Sequence, residues 1–333
     1  MSNTIGAVII GRNEGERLKK CIQSMLSATD TMVYVDSGSS DDSVAYARAN
    51  SVLVVELDTS IPFSAGRARN EGFQTLLRAT PNLDYVQFVD GDCQLYPEWI
   101  ATAAEFLDAN PHCALVCGQR KEIYPQASVY NTLCDIEWNT PVGEALASGG
   151  DFLARANALS EVGGFDPTVI AGEEPEMCFR LREKGWKIWR IDCLMTHHDA
   201  QMTHIKQWWN RVKRCGHAFA QGAAMHGDSP ERYYRREVKS VMVWGGLVPA
   251  VMLLCLLLWL AGGPPWLLLS WLAPGLLWLK TFRWAKNDRQ LSMKYAAVYA
   301  FYIVLGKVPE LVGILTYKRR ARKKQNLTII EYK

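Results

Sequence analysis

The chain has 333 residues, 49% hydrophobic and 21% charged, with 37 basic and 34 acidic side chains and a net charge of +3. This composition excludes intrinsic disorder as the main state and disfavours a dedicated nucleic-acid binder, which carries a stronger basic excess. The length suits one large domain plus an appendage, and charge marks the division: residues 241–279 include no charged side chain.

Residues 5–10, IGAVII, read as a buried parallel strand ending at Gly11. Residues 14–26 have helical spacing, with Leu18, Cys21, Ile22, Met25 and Leu26 on one face. A second strand, 32–35, ends in Asp36-Ser37-Gly38-Ser39-Ser40-Asp41-Asp42. Helix 43–49 follows, with Asp41 or Asp42 placed to cap it. Strand 51–56, helix 64–79 and strand 85–89 come next, the last ending in Asp90-Gly91-Asp92; a later strand is expected over 189–194, just before His197 and His198. Alternating β and α units imply an α/β fold with a mostly parallel sheet and helices on both faces. Ligands of such sheets bind beyond the carboxyl ends of the strands. The Gly11, Asp36 and Asp90 segments all lie there, so three polar loops converge on one crevice.

Residues 241–279 as one helix would run about 58 Å, twice a hydrocarbon core of about 30 Å. Gly262-Gly263-Pro264-Pro265 breaks the run. A membrane hairpin is expected, 241–261 out and 266–282 back. Arg232, Arg235, Arg236 and Lys239 precede it, and Arg283, Lys286, Arg289 and Lys294 follow. Both basic flanks are cytoplasmic by the positive-inside rule. A third apolar stretch, 295–317, carries Lys307, Pro309 and Glu310 near its middle. It is expected to be interfacial or re-entrant rather than spanning. The tail Lys318, Arg319, Arg320, Arg322, Lys323 and Lys324 then rests on anionic lipid of the inner leaflet. The expected organisation is a soluble domain over 1–225, a basic linker over 226–240, the hairpin over 241–283, and the interfacial helix and tail over 284–333. The N-terminus shows neither a basic n-region nor a long apolar run, which predicts that the soluble domain stays in the cytosol, at the inner membrane. The nine cysteines are odd in number and without a framework, as expected of reduced thiols.

Asp90-Gly91-Asp92 sets two carboxylates one residue apart beyond a buried strand. Their repulsion calls for a cationic partner, and a hard divalent metal, Mg²⁺ or Mn²⁺, is the economical one. Asp36 could accept a hydrogen bond from a base ring N–H, and Arg67 and Arg69 could offset phosphate charge. The ordered set GRNEG, VDSGSSDDS, GRARNEG and VDGDC resembles the nucleotide-sugar domain of family 2 glycosyltransferases, a Rossmann-like GT-A fold. Residues 148–155, SGGDFLAR, are similar to the family's acceptor-side segment, and 171–182, AGEEPEMCFRLR, to its Gly-Glu-Asp motif. The resemblance spans about residues 4–225.

The resemblance implies a catalytic base at Glu174, where the family has Asp, and Pro175 fits a helix start. It implies donor contacts from Gly11, Arg12, Asn13, Glu14, Asp36, Arg67, Arg69, Asp90 and Gly91. Metal ligation falls to Asp92 and Asp90, with His197 or His198 completing the shell or touching the diphosphate. Acceptor-side contacts come from Gly149, Gly150, Asp151 and Glu173. The expected reaction is a metal-dependent inverting transfer of one sugar from a nucleotide diphosphate sugar. The membrane region suggests a lipid-linked or glycolipid acceptor in surface polysaccharide or glycolipid assembly. Trp208 and Trp209 lie on a basic aromatic helix before the membrane. The segment is only partly similar to the Gln-x-x-Arg-Trp motif of processive synthases, and the two tryptophans are expected to anchor at the membrane interface. The alternatives are a sugar nucleotidyltransferase, for which 11–15 is a poor phosphate loop, and a non-catalytic membrane scaffold keeping a transferase domain.

Overall fold

The sequence alternation is realised as a mixed sheet flanked by helices. The computed structural model describes residues 3–323; Lys324 and the remainder of the expected basic tail lie outside them. The chain divides into two units, Met1–Thr203 and His204–Lys333. The first unit runs β1 (Ile5–Gly11), α1 (Glu16–Gln23), β2 (Thr31–Asp36), α2 (Ser43–Ala49), β3 (Leu53–Glu56), α3 (Ala65–Ala79), β4 (Tyr85–Asp90) and β5 (Cys93–Leu95). It continues through α4 (Trp99–Ala109), β6 (Cys113–Glu122), α5 (Val129–Trp138), β7 (Gly143–Ala145), β8 (Phe152–Arg155), α6 (Ala156–Glu161), α7 (Glu173–Glu183) and β9 (Lys187–His198).

The strand order is β3-β2-β1-β4-β8-β6-β9-β5, with β7 on β9. The β3-β2-β1-β4 half is parallel, as the buried apolar runs of β2, β1 and β4 predict, with β3 a half-exposed edge strand. β8 enters antiparallel between β4 and β6, so the far half is mixed. The core lies between the sheet and its helices, from Val8, Ile9 and Val33 to Phe88, Phe152 and Met177.

Two expectations are corrected locally. α1 begins at Glu16 rather than 14, because Asn13 and Gly15 hold positive φ of 56° and 52° and keep the chain in a turn. β9 runs four residues past Leu194, paired with both β6 and β5, so His197 and His198 are strand residues and point to opposite faces.

The second unit comprises α8 (Ile205–His226), α9 (Arg235–Val241), a π-helical turn (Met242–Leu247), α10 (Val248–Leu260), a 3₁₀ segment (Pro265–Leu272), α11 (Ala273–Asn287) and α12 (Met293–Arg322). Pro249 has no N–H to give the carbonyl four residues back, and the ladder widens there. By length and composition two helical runs could cross a membrane, Arg235–Leu260 and Met293–Arg322. The expected return arm is divided instead into the 3₁₀ segment and α11, and Pro274 in the first turn of α11 has no N–H to carry the ladder back across the junction. α12 stays continuous through Pro309. It packs on α8 where Gly216 meets the Glu310 carbonyl and Gly313 meets the Lys213 carbonyl; a Cβ at either glycine would collide with backbone. Lys307 and Glu310 neutralise each other at 2.8 Å. Trp208 is buried edge-to-face against Tyr302, with centroids 5.0 Å apart, rather than presented as an interface anchor.

Candidate active site

Parallel register places the three strand ends side by side, with Gly11 opposite Asp36 and Ile10 opposite Asp90. The loops beyond them are laced together. The Asn13 N–H donates to Ser39 Oγ at 2.9 Å, its Oδ1 accepts from the Ser40 N–H at 2.7 Å, and the Gly15 N–H donates to Asp41 Oδ2 at 3.0 Å. Glu14 pairs with Arg17 at 2.6 Å. Its Cγ lies within 3.3 Å of where a Cβ at Gly91 would stand, so the first loop closes over the Asp90-Gly91-Asp92 turn. Arg12 is exposed beside it. Asp36 is buried and accepts from the Tyr34 hydroxyl (2.9 Å) and the Gly38 (2.9 Å) and Ser39 (2.8 Å) N–H groups. A carboxylate offers about four acceptor positions. Three of them shape this loop and one is left for a ligand donor.

At the next strand end the Arg69 guanidinium bridges three carboxylates. Its Nη2 lies 2.8 Å from Asp90 Oδ1, and its Nη1 lies 2.9 Å from Glu174 Oε1 and 3.3 Å from Glu173 Oε1. α3 presents Arg69 from one side, capped by the Ser64 hydroxyl on the Arg67 N–H. α7 presents the glutamates from the other. Its first turn follows Gly172 in the left-handed conformation, with Pro175 inside the turn. Burial and the charge of Glu173 push the Glu174 carboxyl up to about 7 against the pull of Arg69. Gly150 completes the packing: a Cβ there would stand 2.7 Å from Asp90 Oδ2 and 2.8 Å from Arg69 Nη2. Gly149 faces open space.

Asp151 lies inside the fold and touches no open surface. It accepts from Arg120 Nε at 2.9 Å, the Thr196 hydroxyl at 2.8 Å and the Asp90 N–H at 3.1 Å. Burial opposes its charge, but Arg120 and Thr196 outweigh burial and hold the carboxyl below the usual range. Arg67 is not brought to the cluster; it donates to the Asp58 and Ile61 carbonyls.

Asp92 is buried, and its Oδ1 lies 3.3 Å from His198 Nε2. Two ligands at right angles on one hard cation, each about 2.1 Å from it, stand roughly 3 Å apart. The carboxylate–imidazole pair therefore fits a divalent metal. Cys93 shares the cluster, and burial pushes its thiol well above the usual range. His197, on the opposite face of β9, is held by the Tyr96 hydroxyl at 2.6 Å. Of the two histidines, His198 is the one at Asp92.

The pattern of motifs did not disclose Arg120, Glu122 or Trp138. Arg120 lies 3.5 Å from Asp90 Oδ2 and over the Trp138 ring at 5.3 Å. Trp138 in turn meets the His198 ring edge-on at 4.5 Å. Arg190 donates to the Trp138 carbonyl at 2.9 Å and fixes that end of α5. The available signal was 119–122, QRKE, four polar residues closing an apolar strand.

Residues 7–144 match the model of Glycosyl transferase family 2. With the α/β sheet and the acidic strand-end cluster, this identifies the segment as a family 2 glycosyltransferase domain of GT-A type. Among individual proteins, the chain is similar to the pre-mycofactocin glycosyltransferases of Mycobacterium tuberculosis strains CDC 1551 / Oshkosh and ATCC 25618 / H37Rv, each 26% identical over 243 residues, 67% of this chain and 48% of the relative. The chain thus spans about half the length of the curated relatives it matches. A solved mannosyltransferase from Pyrobaculum calidifontis, in complex with GDP-Man and Mn²⁺, superposes with a TM-score of 0.61 at 16% identity, covering 93% of this chain and 88% of that one. That likeness establishes the shared fold.

Proposed function

We propose that the protein is a metal-dependent inverting glycosyltransferase that moves one sugar from a nucleotide diphosphate sugar to a lipid-linked or glycolipid acceptor at the cytoplasmic face of the inner membrane. The observation that carries this reading is the Arg69 bridge, which brings a donor-side carboxylate, Asp90, and a general-base candidate, Glu174, onto one guanidinium. The donor nucleotide lies across the Gly11, Asp36 and Asp90 loops, with the base N–H groups at Asp36. Asp92 and His198 are the residues that would hold Mn²⁺ or Mg²⁺. When bound, the cation supplies Lewis acidity toward the leaving diphosphate.

Arg69 and Arg120 hold Asp90 toward the sugar–ribose side of the donor. Glu174 takes the proton of an acceptor hydroxyl as that oxygen bonds to the anomeric carbon from the face opposite the diphosphate. The sugar–phosphate bond breaks in the same displacement, and the configuration inverts. A carboxyl near 7 is half-ionised at neutral pH, which suits a general base. Glu173 and Gly149 border the acceptor side, while Asp151 and Gly150 act from beneath by fixing Asp90 and Arg69.

Exposed Leu253, Leu254, Leu257, Leu258 and Leu260, followed by exposed Trp266, Leu269 and Trp271, support a lipid-embedded hairpin over 241–283. α12 crosses α8 at Gly216 and Gly313, and α8 carries Lys206, Arg211, Lys213 and Arg214. A helix packed at its middle on a charged helix supports an interfacial placement, with its basic end on anionic lipid.

The test is Mn²⁺-dependent hydrolysis by detergent-purified protein across a panel of nucleotide sugars, beside Asp92→Asn and Glu174→Gln. Hydrolysis of one donor, lost in Asp92→Asn, supports the transferase and names the donor. Failure of every donor to bind or react in the presence of metal overturns it in favour of a non-catalytic scaffold.

A further inference from the structure

His198 has one ring nitrogen at Asp92 and the other, Nδ1, buried without a hydrogen-bond partner. That nitrogen faces Glu122 Oε2 across 4.0 Å. The two residues are register partners, at the ends of β6 and β9. The Glu122 side chain has no solvent exposure. It is held from the far side: its Oε1 accepts from the Tyr124 N–H at 3.0 Å and Asn131 Nδ2 at 3.3 Å, and its Oε2 accepts from the Ala200 N–H at 3.0 Å. A carboxylate in this position keeps lone-pair capacity on Oε2 for one more donor.

A histidine can bind a cation through Nε2 only when its proton resides on Nδ1, and a carboxylate behind Nδ1 selects that tautomer. We infer that Glu122 is a positioning residue for the cation site: it accepts the Nδ1 proton of His198 and turns the Nε2 lone pair toward a cation shared with Asp92. The inference rests on the metal-dependent reading above and adds a residue that touches neither substrate nor metal. β6 then braces the site twice from one face, with Arg120 behind Asp90 and Glu122 behind His198.

The test uses the full chain in detergent and Mn²⁺ alone, with free Mn²⁺ followed by electron paramagnetic resonance. Wild type binds Mn²⁺ and Asp92→Asn does not. Glu122→Gln weakens binding by about tenfold to a hundredfold, the range for partners of metal-bound histidines. Asn131→Ala removes a donor to the opposite carboxylate oxygen and disturbs the same network away from His198, so its Mn²⁺ affinity stays close to wild type. A second readout needs no variant: in ¹⁵N-histidine-labelled protein, Mg²⁺ fixes the His198 imidazole as the Nδ1–H tautomer. Unchanged Mn²⁺ affinity in Glu122→Gln, or an equal loss in Asn131→Ala, overturns the Glu122 role while leaving the metal site standing; an Nε2–H tautomer with Mg²⁺ present overturns both the Glu122 role and His198 as a ligand. Wild type that binds no Mn²⁺, or Asp92→Asn that binds it equally, overturns the metal reading and this inference together.

Discussion

Arg69 Nη1 lies 2.9 Å from Glu174 Oε1, so the proposed base is paired with a buried guanidinium before any acceptor arrives. Burial and Glu173 nevertheless keep its carboxyl near 7. The carboxyl is protonated and idle below that value, and its basic form accumulates above it. Under acceptor-saturated conditions the transfer rate should rise with pH between about 6 and 8 and then level off. Glu174→Gln should lose roughly 10²–10⁴-fold in rate with donor affinity retained. A pH-rate profile of wild type with donor titration of the variant checks both; a flat profile over that interval removes Glu174 from the base role.

Arg69 compensates Asp90, Glu173 and Glu174 together and is itself 3% exposed in its side chain. Arg69→Met would leave buried carboxylates without their counter-charge, at a cost of about 3–5 kcal/mol. Arg69→Lys keeps the charge but not the planar fork that reaches both sides, so it should lose activity more than stability. Denaturant titration of both variants beside donor hydrolysis separates the two effects.

The neighbouring glycines 149 and 150 make a paired test. Gly150→Ala drives a methyl into Asp90 and Arg69 and should cost about 1–3 kcal/mol, weakening donor binding as well. Gly149→Ala meets open space and should be tolerated in both respects. Equal behaviour of the two in thermal melts and donor titrations would contradict the packing described for Gly150.

Leu254 is exposed on α10. If that face meets lipid, Leu254→Arg adds about 3–4 kcal/mol to insertion, and the inserted fraction in a translocation assay should fall sharply. Leu260→Arg, at the helix end, should have a smaller effect. Indifference of both positions would argue against a membrane-embedded α10.

The parallel half of the sheet was legible in the sequence because short buried strands and their polar ends are local features. Gly11, Asp36 and Asp90 could be aligned from periodicity alone. Residues 119–122 could not be assigned, since Arg120 and Glu122 acquire meaning only through the pairing of β6 with β8 and β9, whose residues lie more than thirty positions on. For the same reason the sequence placed Asp151 among the acceptor-side contacts; its burial comes with Arg120 and Thr196, both remote in sequence. The choice between His197 and His198 depended on how far β9 extends. That is set by hydrogen bonding to β5 and β6 rather than by the residues themselves.

Side chains alternate along a strand, so the histidine doublet at the end of β9 has a further consequence. β6 and β9 already shift register between Cys117 and Arg120, where β9 advances from Arg190 to Thr196, so the pairing of these two strands is not held to a single register. A single-residue insertion upstream in β9 would turn His198 away from Asp92 and bring His197 into its place. Two imidazoles in succession thus make the chemistry of that wall redundant to a one-residue slip, and length variation in β9 need not remove a histidine from the crevice.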